Sequence, residues 1–146
     1  MEDKSTELNV YTGMFDFSDN GKRSTLIGIQ HQNENLRRNS FIGNLSPITG
    51  AMLTADNSSY FYTGVQAEYT LGVLNLTPSF APGLYERGDG KELGHIVEFR
   101  SGLDLAYRRE NGSRIGVEVH HLSNASLDEN NPGTETFLFT YSIPLN

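Results

Sequence analysis

The sequence predicts an all-β fold built as one domain over residues 1–146, and three observations carry that reading. Polarity alternates every second residue along strand-length segments. Charged side chains keep returning to the same face of consecutive segments. Turn signals divide the chain into eight such pieces.

The alternation is clearest between 96 and 107. Val97, Phe99, Leu103, Leu105 and Tyr107 share one face, interrupted only by Ser101, while Glu98, Arg100, Gly102, Asp104 and Ala106 share the other. Side chains two apart on a strand project the same way, so a period of two is the mark of a strand with unlike faces. Segment 113–123 repeats it, with Ile115, Val117 and Val119 opposite Arg114, Gly116, Glu118 and His120. In 134–143, Phe137, Phe139, Tyr141 and Ile143 oppose Thr136, Thr140 and Ser142. Charges recurring on one face of successive strands are hard to bury in a sandwich core. A polar, hydrogen-bonded barrel interior accommodates them.

Segments 7–17, 25–32, 41–54, 60–71 and 73–80 bring the number of strands to eight. Between them stand Asp19-Asn20-Gly21, Asp56-Asn57-Ser58, Gly88-Asp89-Gly90 and Glu110-Asn111-Gly112, and 32–39 and 84–93 read as longer polar loops. Pro47, Pro78 and Pro82 lie in or beside strands, where a missing N–H donor predicts bulges or strand ends. No linker, repeat or long amphipathic helix interrupts the pattern.

A net charge of −7, with Arg37-Arg38 and Arg108-Arg109 as isolated basic pairs, offers no stripe to displace counterions from phosphates, so nucleic acid is not an expected partner. The absence of cysteine removes disulfide scaffolds and thiolate zinc sites. His31 and His95 lack ligand-spaced partners, and no metal site is expected. No run approaches the length of a transmembrane helix, but a barrel strand needs only about 9–11 residues with one apolar face. Met1-Glu2-Asp3-Lys4 is not a signal peptide, which fits a cytosolic protein or a mature exported sequence with an added Met. Composition alone leaves soluble and membrane-embedded barrels both open.

The most informative run is His121-Leu122-Ser123-Asn124-Ala125, followed by Asn131-Pro132-Gly133-Thr134-Glu135. His121 and Ser123 project from the face that carries Val117 and Val119, and Glu135 from the face of Phe137 and Phe139. If 113–123 and 134–145 pair as a hairpin, one register sets Glu135 opposite Ser123 and another sets it opposite His121. Either is within side-chain reach. A serine hydroxyl becomes a nucleophile when a base takes its proton. An imidazole serves as that base and later as the acid. A carboxylate fixes the imidazole tautomer and stabilises the imidazolium. Asn124, through its amide or the adjoining backbone N–H, is the candidate support for an oxyanion. The bland alternative is that a histidine and a serine on a strand are hydrogen-bonded structural residues. The trio shares the aliphatic face, so in a membrane barrel it would meet lipid acyl chains.

Across nearly its whole length the sequence resembles the lipid A 3-O-deacylase family of Gram-negative outer membranes. The resemblance runs through Glu7-Leu8-Asn9-Val10-Tyr11-Thr12-Gly13 with Phe15-Asp16, Thr77-Pro78-Ser79, Pro82-Gly83-Leu84-Tyr85, Leu93-Gly94-His95 and Phe99-Arg100-Ser101-Gly102. Its specific core is His121-Leu122-Ser123-Asn124-Ala125 with Glu135 twelve residues after the serine. The resemblance implies an eight-stranded antiparallel transmembrane β-barrel in the outer membrane. It implies removal of the ester-linked acyl chain at the 3-position of lipid A in lipopolysaccharide, by a Ser-His-Glu triad on the lipid-facing exterior and without metal or cofactor. Ser123 would be the nucleophile, His121 the general base, Glu135 its orienter, and Asn124 would lie near the oxyanion. The partners implied are lipid A and the surrounding outer-membrane lipids, with a homo-oligomer left open. Barrels of this kind commonly finish on an aromatic residue, whereas this chain ends Ile143-Pro144-Leu145-Asn146, a departure that bears on assembly rather than on the motif.

His120 points away from His121 and reads as interior, and His95 is expected to support a loop or the interior. Glu98, Arg100, Asp104, Arg114 and Glu118 are expected to form an interior charge network, and the seven tyrosines are candidates for interfacial girdles. Two other functions fit an all-β chain. One is a non-enzymatic structural or adhesion barrel working through loops 32–39 and 84–93. The other is a soluble lipocalin-like carrier with Val97, Phe99 and Leu105 turned inward.

Overall fold

The computed structural model describes residues 6–18, 23–33, 38–41 and 43–145. The expected turn at Asp19-Asn20-Gly21 and the middle of the 32–39 loop lie outside those residues. The strands are β1 (Glu7–Phe15), β2 (Ser24–Gln32), β3 (Arg38–Ser40), β4 (Gly43–Thr54), β5 (Ser59–Ala67), β6 (Tyr69–Leu71), β7 (Leu74–Glu86), β8 (Val97–Arg108), β9 (Arg114–Ser123) and β10 (Thr134–Pro144). All pair antiparallel, in the order β2-β1-β10-β9-β8-β7-β5-β4, and β2 pairs with β4 to close the sheet. The short β3 folds onto β4, and β6 continues β5 along β7 in one register, Gln66 facing Ser79 and Tyr69 facing Leu76. The result is a closed eight-stranded barrel, each of whose eight wall strands has a neighbour on both sides among the described residues.

The alternation sorts side chains as the sequence predicts. Leu103, Leu105, Tyr107, Ile115, Val117, Val119 and Phe139 are exposed on the outer wall, joined from the far side by Val10, Ile27, Ile29, Leu53, Phe61 and Val65. An apolar exterior encircling a polar lumen is the pattern of a barrel that crosses a bilayer. It is the inverse of a lipocalin-like carrier, because the strand face of Val97, Phe99 and Leu105 is the outward one.

Inside, Arg100 is fully buried, donates to Glu118 at 2.7 Å and to Ser79 at 2.8 Å, and lies over the Tyr62 ring at 4.9 Å. Arg114 bridges Glu7 at 2.7 Å and Glu68 at 2.6 Å, and Thr140 donates to Asp104 at 3.0 Å. Glu98 departs from the expected network: it is buried, yet neither carboxyl oxygen has a side-chain partner. Toward the end of the barrel where β9 finishes and β10 starts, the interior turns apolar, with Phe15, Tyr60, Tyr85, Leu93, Leu122 and Leu138 buried together. Four of the seven tyrosines, Tyr11, Tyr60, Tyr62 and Tyr85, belong to the interior; Tyr69, Tyr107 and Tyr141 face outward as girdle candidates.

The prolines correct one expectation. Neither a bulge nor a strand end occurs at Pro78 or Pro82, and β7 runs through both to Glu86 in a constant register with β8. Odd-numbered residues of β7 bond toward β8, as Tyr85 N does to Ile96 O, so the even-numbered prolines turn their missing donors toward β5 and β6. The ladder lapses there without slipping. Pairing with β5 stops between Tyr62–Gly83 and Val65–Phe80, and β5 gives way to β6 opposite Pro78. Pro47 sits inside β4 just past the end of the β2 ladder, its carbonyl accepting from Asn33 N at 3.0 Å.

Candidate active site on the outer wall

Strand β9 brings His121 to the outer wall through its alternation with the buried His120 and Leu122. Strand β10 pairs Glu135 directly with His121, the second of the two registers the sequence leaves open. The side chains meet: His121 Nδ1 and Glu135 Oε1 are 2.8 Å apart, each about half exposed, at 47% and 49%. A carboxylate at Nδ1 selects the tautomer with its proton there, which leaves the Nε2 lone pair free to accept a proton.

Gly133 indicates where the other edge of the ring points. Its φ is +66°, and a Cβ placed on it would fall 2.9 Å from His121 Cε1 and 3.4 Å from Nε2. Gly133 lies two residues before Glu135 and Ser123 two residues after His121. The Cε1–Nε2 edge therefore leans toward the row that holds Ser123. Ser123 ends β9, pairs with Phe99 of β8, and is half-buried on the outward side. Its hydroxyl makes no hydrogen bond to the imidazole or to any other described residue. Such bonds are often open before substrate arrives.

Asn124 requires a correction. It is fully buried, its amide donates to Leu93 O at 3.1 Å and Asn130 O at 2.8 Å, and its Oδ1 accepts from Ser126 N at 3.0 Å. Its backbone N–H donates to Asn131 Oδ1 at 2.9 Å. With every donor engaged, Asn124 has none to offer an oxyanion, and its place is that of a support. It holds a turn in which Ala125 and Ser126 take positive φ, 53° and 65°, a backbone state that persists only where neighbours enforce it. The N–H of Ala125 is left without a partner among the described residues.

The chain between β1 and β2 supplies contacts the sequence did not signal. Ser18 donates to Glu135 Oε2 at 3.0 Å, Phe17 N to Glu135 O at 3.1 Å, and Thr134 Oγ1 to Asp16 Oδ1 at 2.8 Å. A turn serine has no periodicity, and 117 residues separate Ser18 from its partner. The pair lines a shallow, open recess of about 320 Å³ on the wall, together with Phe17, Ser101, Leu103 and Val119. Its scale suits a small apolar group or part of a chain. Phe17 and Phe137 pack edge to face on one flank, and Phe80 and Phe99 stack nearby on the wall. His120 stays inside and buried, and His95 accepts from Val97 N at 2.9 Å, a loop contact.

An apolar-walled barrel with a hydrogen-bonded histidine–carboxylate pair on that wall defines a class: a membrane-spanning β-barrel that turns polar, titratable groups toward lipid. The chain belongs to the lipid A 3-O-deacylase family, whose model, described as Lipid A 3-O-deacylase (PagL), matches residues 14–144. It is 33% identical over 55 residues to the lipid A deacylase PagL of Pseudomonas aeruginosa, an alignment covering 38% of this chain and about a third (32%) of that relative's length. The crystal structure of the outer membrane enzyme PagL superposes with a TM-score of 0.71 at 17% identity, covering 95% of this chain and 99% of the other. The Yersinia pestis outer membrane protein Ail, solved in a phospholipid bilayer nanodisc, superposes with a TM-score of 0.51 at 12% identity, over 94% and 99%. At such identities these likenesses define the barrel, and a barrel alone does not define an activity.

Proposed function

We propose that this chain is an outer-membrane lipid A 3-O-deacylase, a serine esterase acting on lipopolysaccharide from the lipid-facing side of its own wall. The observation that carries the proposal is the outward His121–Glu135 pair at 2.8 Å, which lines an open apolar recess. An acyl chain of a neighbouring lipid would lie in that recess, with its ester at the level of Ser123.

Ser123 Oγ attacks the ester carbonyl carbon while His121 Nε2 takes its proton, and Glu135 stabilises the imidazolium through Nδ1. The negative charge that develops on the carbonyl oxygen is met by the unpartnered N–H of Ala125. Collapse breaks the carbon–oxygen bond to the sugar, and the leaving alkoxide takes the proton from His121. The acyl chain remains on Ser123. Water then attacks the acyl-enzyme with His121 again as base, and a fatty acid leaves as Ser123 recovers its proton. Every proton moves between residues of this chain, substrate and water, and no cofactor is required by the balance.

Mass spectrometry of lipid A, before and after incubation with the refolded protein in detergent, tests the reading. Loss of one acyl chain from the 3-position is expected, with Ser123→Ala slower by about 10⁴–10⁶-fold. Near-normal release by Ser123→Ala would remove Ser123 from the role of nucleophile.

A further inference from the structure

Resting on that reading, we infer that Ser18 is a positioning residue of the site, a fourth member that holds the free oxygen of the Glu135 carboxylate. The carboxylate is divided between two partners: Oε1 faces His121 Nδ1 at 2.8 Å, and Oε2 accepts from Ser18 Oγ at 3.0 Å. A half-exposed glutamate with three rotatable bonds and a single anchor would spend time turned away from the imidazole. The second anchor sets the plane of the carboxylate, and with it the direction from which Nδ1 is held.

Ser18 is itself held. Three successive residues grip the start of β10. Asp16 Oδ1 accepts from Thr134 Oγ1 at 2.8 Å and from Lys91 Nζ at 2.9 Å, Phe17 N donates to Glu135 O at 3.1 Å, and Ser18 reaches the carboxylate. Asp16 is fully buried and has φ +58°, a left-handed turn conformation that aspartate tolerates better than most residues and that those bonds hold. The hydroxyl of Ser18 is thus delivered to Glu135 from a turn anchored on the same strand two residues deep.

The prediction is read in kcat. Because the bond ends on a charged acceptor, its loss in Ser18→Ala lowers kcat about tenfold. KM stays near the unsubstituted value, since Ser18 touches the orienting carboxylate and not the acyl chain. Ser18→Thr keeps the hydroxyl and restores most of the rate. The decisive comparison uses the protein refolded in detergent with lipid A as substrate. Ser18→Ala is placed on the unsubstituted chain and on Glu135→Ala, with folding checked by heat-modifiable gel migration. If Ser18 acts through Glu135, its removal slows the first background and leaves the residual rate of the second unchanged. Equal slowing in both backgrounds, or an unchanged kcat in the first, overturns the inference. Should Glu135→Ala itself turn over normally, the triad reading fails first and takes this inference with it. A slow Glu135→Ala beside a fully active Ser18→Ala fails this inference alone.

Discussion

Gly133 serves the site at the scale of a single residue. Its positive φ disfavours side chains on backbone grounds, and a Cβ there would meet the imidazole edge at 2.9 Å, so the ring would have to shift. In Gly133→Ala the left-handed backbone alone costs about 1–2 kcal/mol of stability. The larger effect falls on His121, which must tilt away from the new methyl. A displacement on the order of 1 Å at a reacting group can cost about 10²-fold in rate. Paired urea titration and turnover measurements therefore separate the two: a modest shift in midpoint with a drop in kcat about two orders deep. A variant with full activity would mean that the ring is not held from this side. For the polar residues the ordering of effects is the test. In the proposed triad, His121→Ala would remove the base outright, whereas Glu135→Ala would leave a base with an unfixed tautomer, so its loss of rate is expected to be smaller by about one to two orders of magnitude. Equal losses would argue that the carboxylate does more than orient.

At the scale of elements, the β9–β10 hairpin is where the legible and illegible parts of the chain meet. Alternation through 113–123 and 134–143 is strict enough to assign faces, and the faces place His121, Ser123 and Glu135 together on the outside. Register was legible only to within two residues, because both alternatives keep every apolar residue outward and differ only in what lies opposite what. The loop was not legible. Asn124 sits in the same motif as Ser123, yet its partners are the carbonyls of Leu93 and Asn130, and no period relates position 93 to position 124. The prolines misled for a related reason: a missing donor predicts a lost bond, but whether the strand ends depends on which neighbour that donor faces. Asn124→Ala tests the loop reading. It strands two carbonyls and releases the turn at Ala125 and Ser126, at a cost of about 1–3 kcal/mol per unsatisfied group. Expected outcomes are proteolytic nicking within 125–131 and slowed turnover, while the barrel still shows its folded gel mobility, since β9 and β10 keep their pairing. Resistance to protease equal to that of the unsubstituted chain would remove Asn124 from its supporting role.

For the whole molecule, the inside-out distribution of polarity makes each charged side chain of the lumen an energetic liability unless it is paired. Arg100 is the largest fully buried side chain among the described residues, and it holds Glu118 and Ser79 while its guanidinium covers Tyr62. Removing the arginine alone leaves Glu118 charged, buried and without its salt-bridge partner, and breaking such a pair costs about 3–5 kcal/mol. Removing both charges leaves no orphan, and a well-packed apolar pair can be as stable as the ion pair it replaces. Arg100→Met should therefore lower the urea midpoint of the barrel sharply, and adding Glu118→Leu should recover most of the loss. The site lies on the opposite face of the same strands, so in the double variant lipid A turnover should track the folded fraction and nothing more. If the double variant were as unstable as Arg100→Met, the lumen would depend on the charges themselves, for instance to order water against Glu98 and His120, whose polar side-chain atoms have no internal partners.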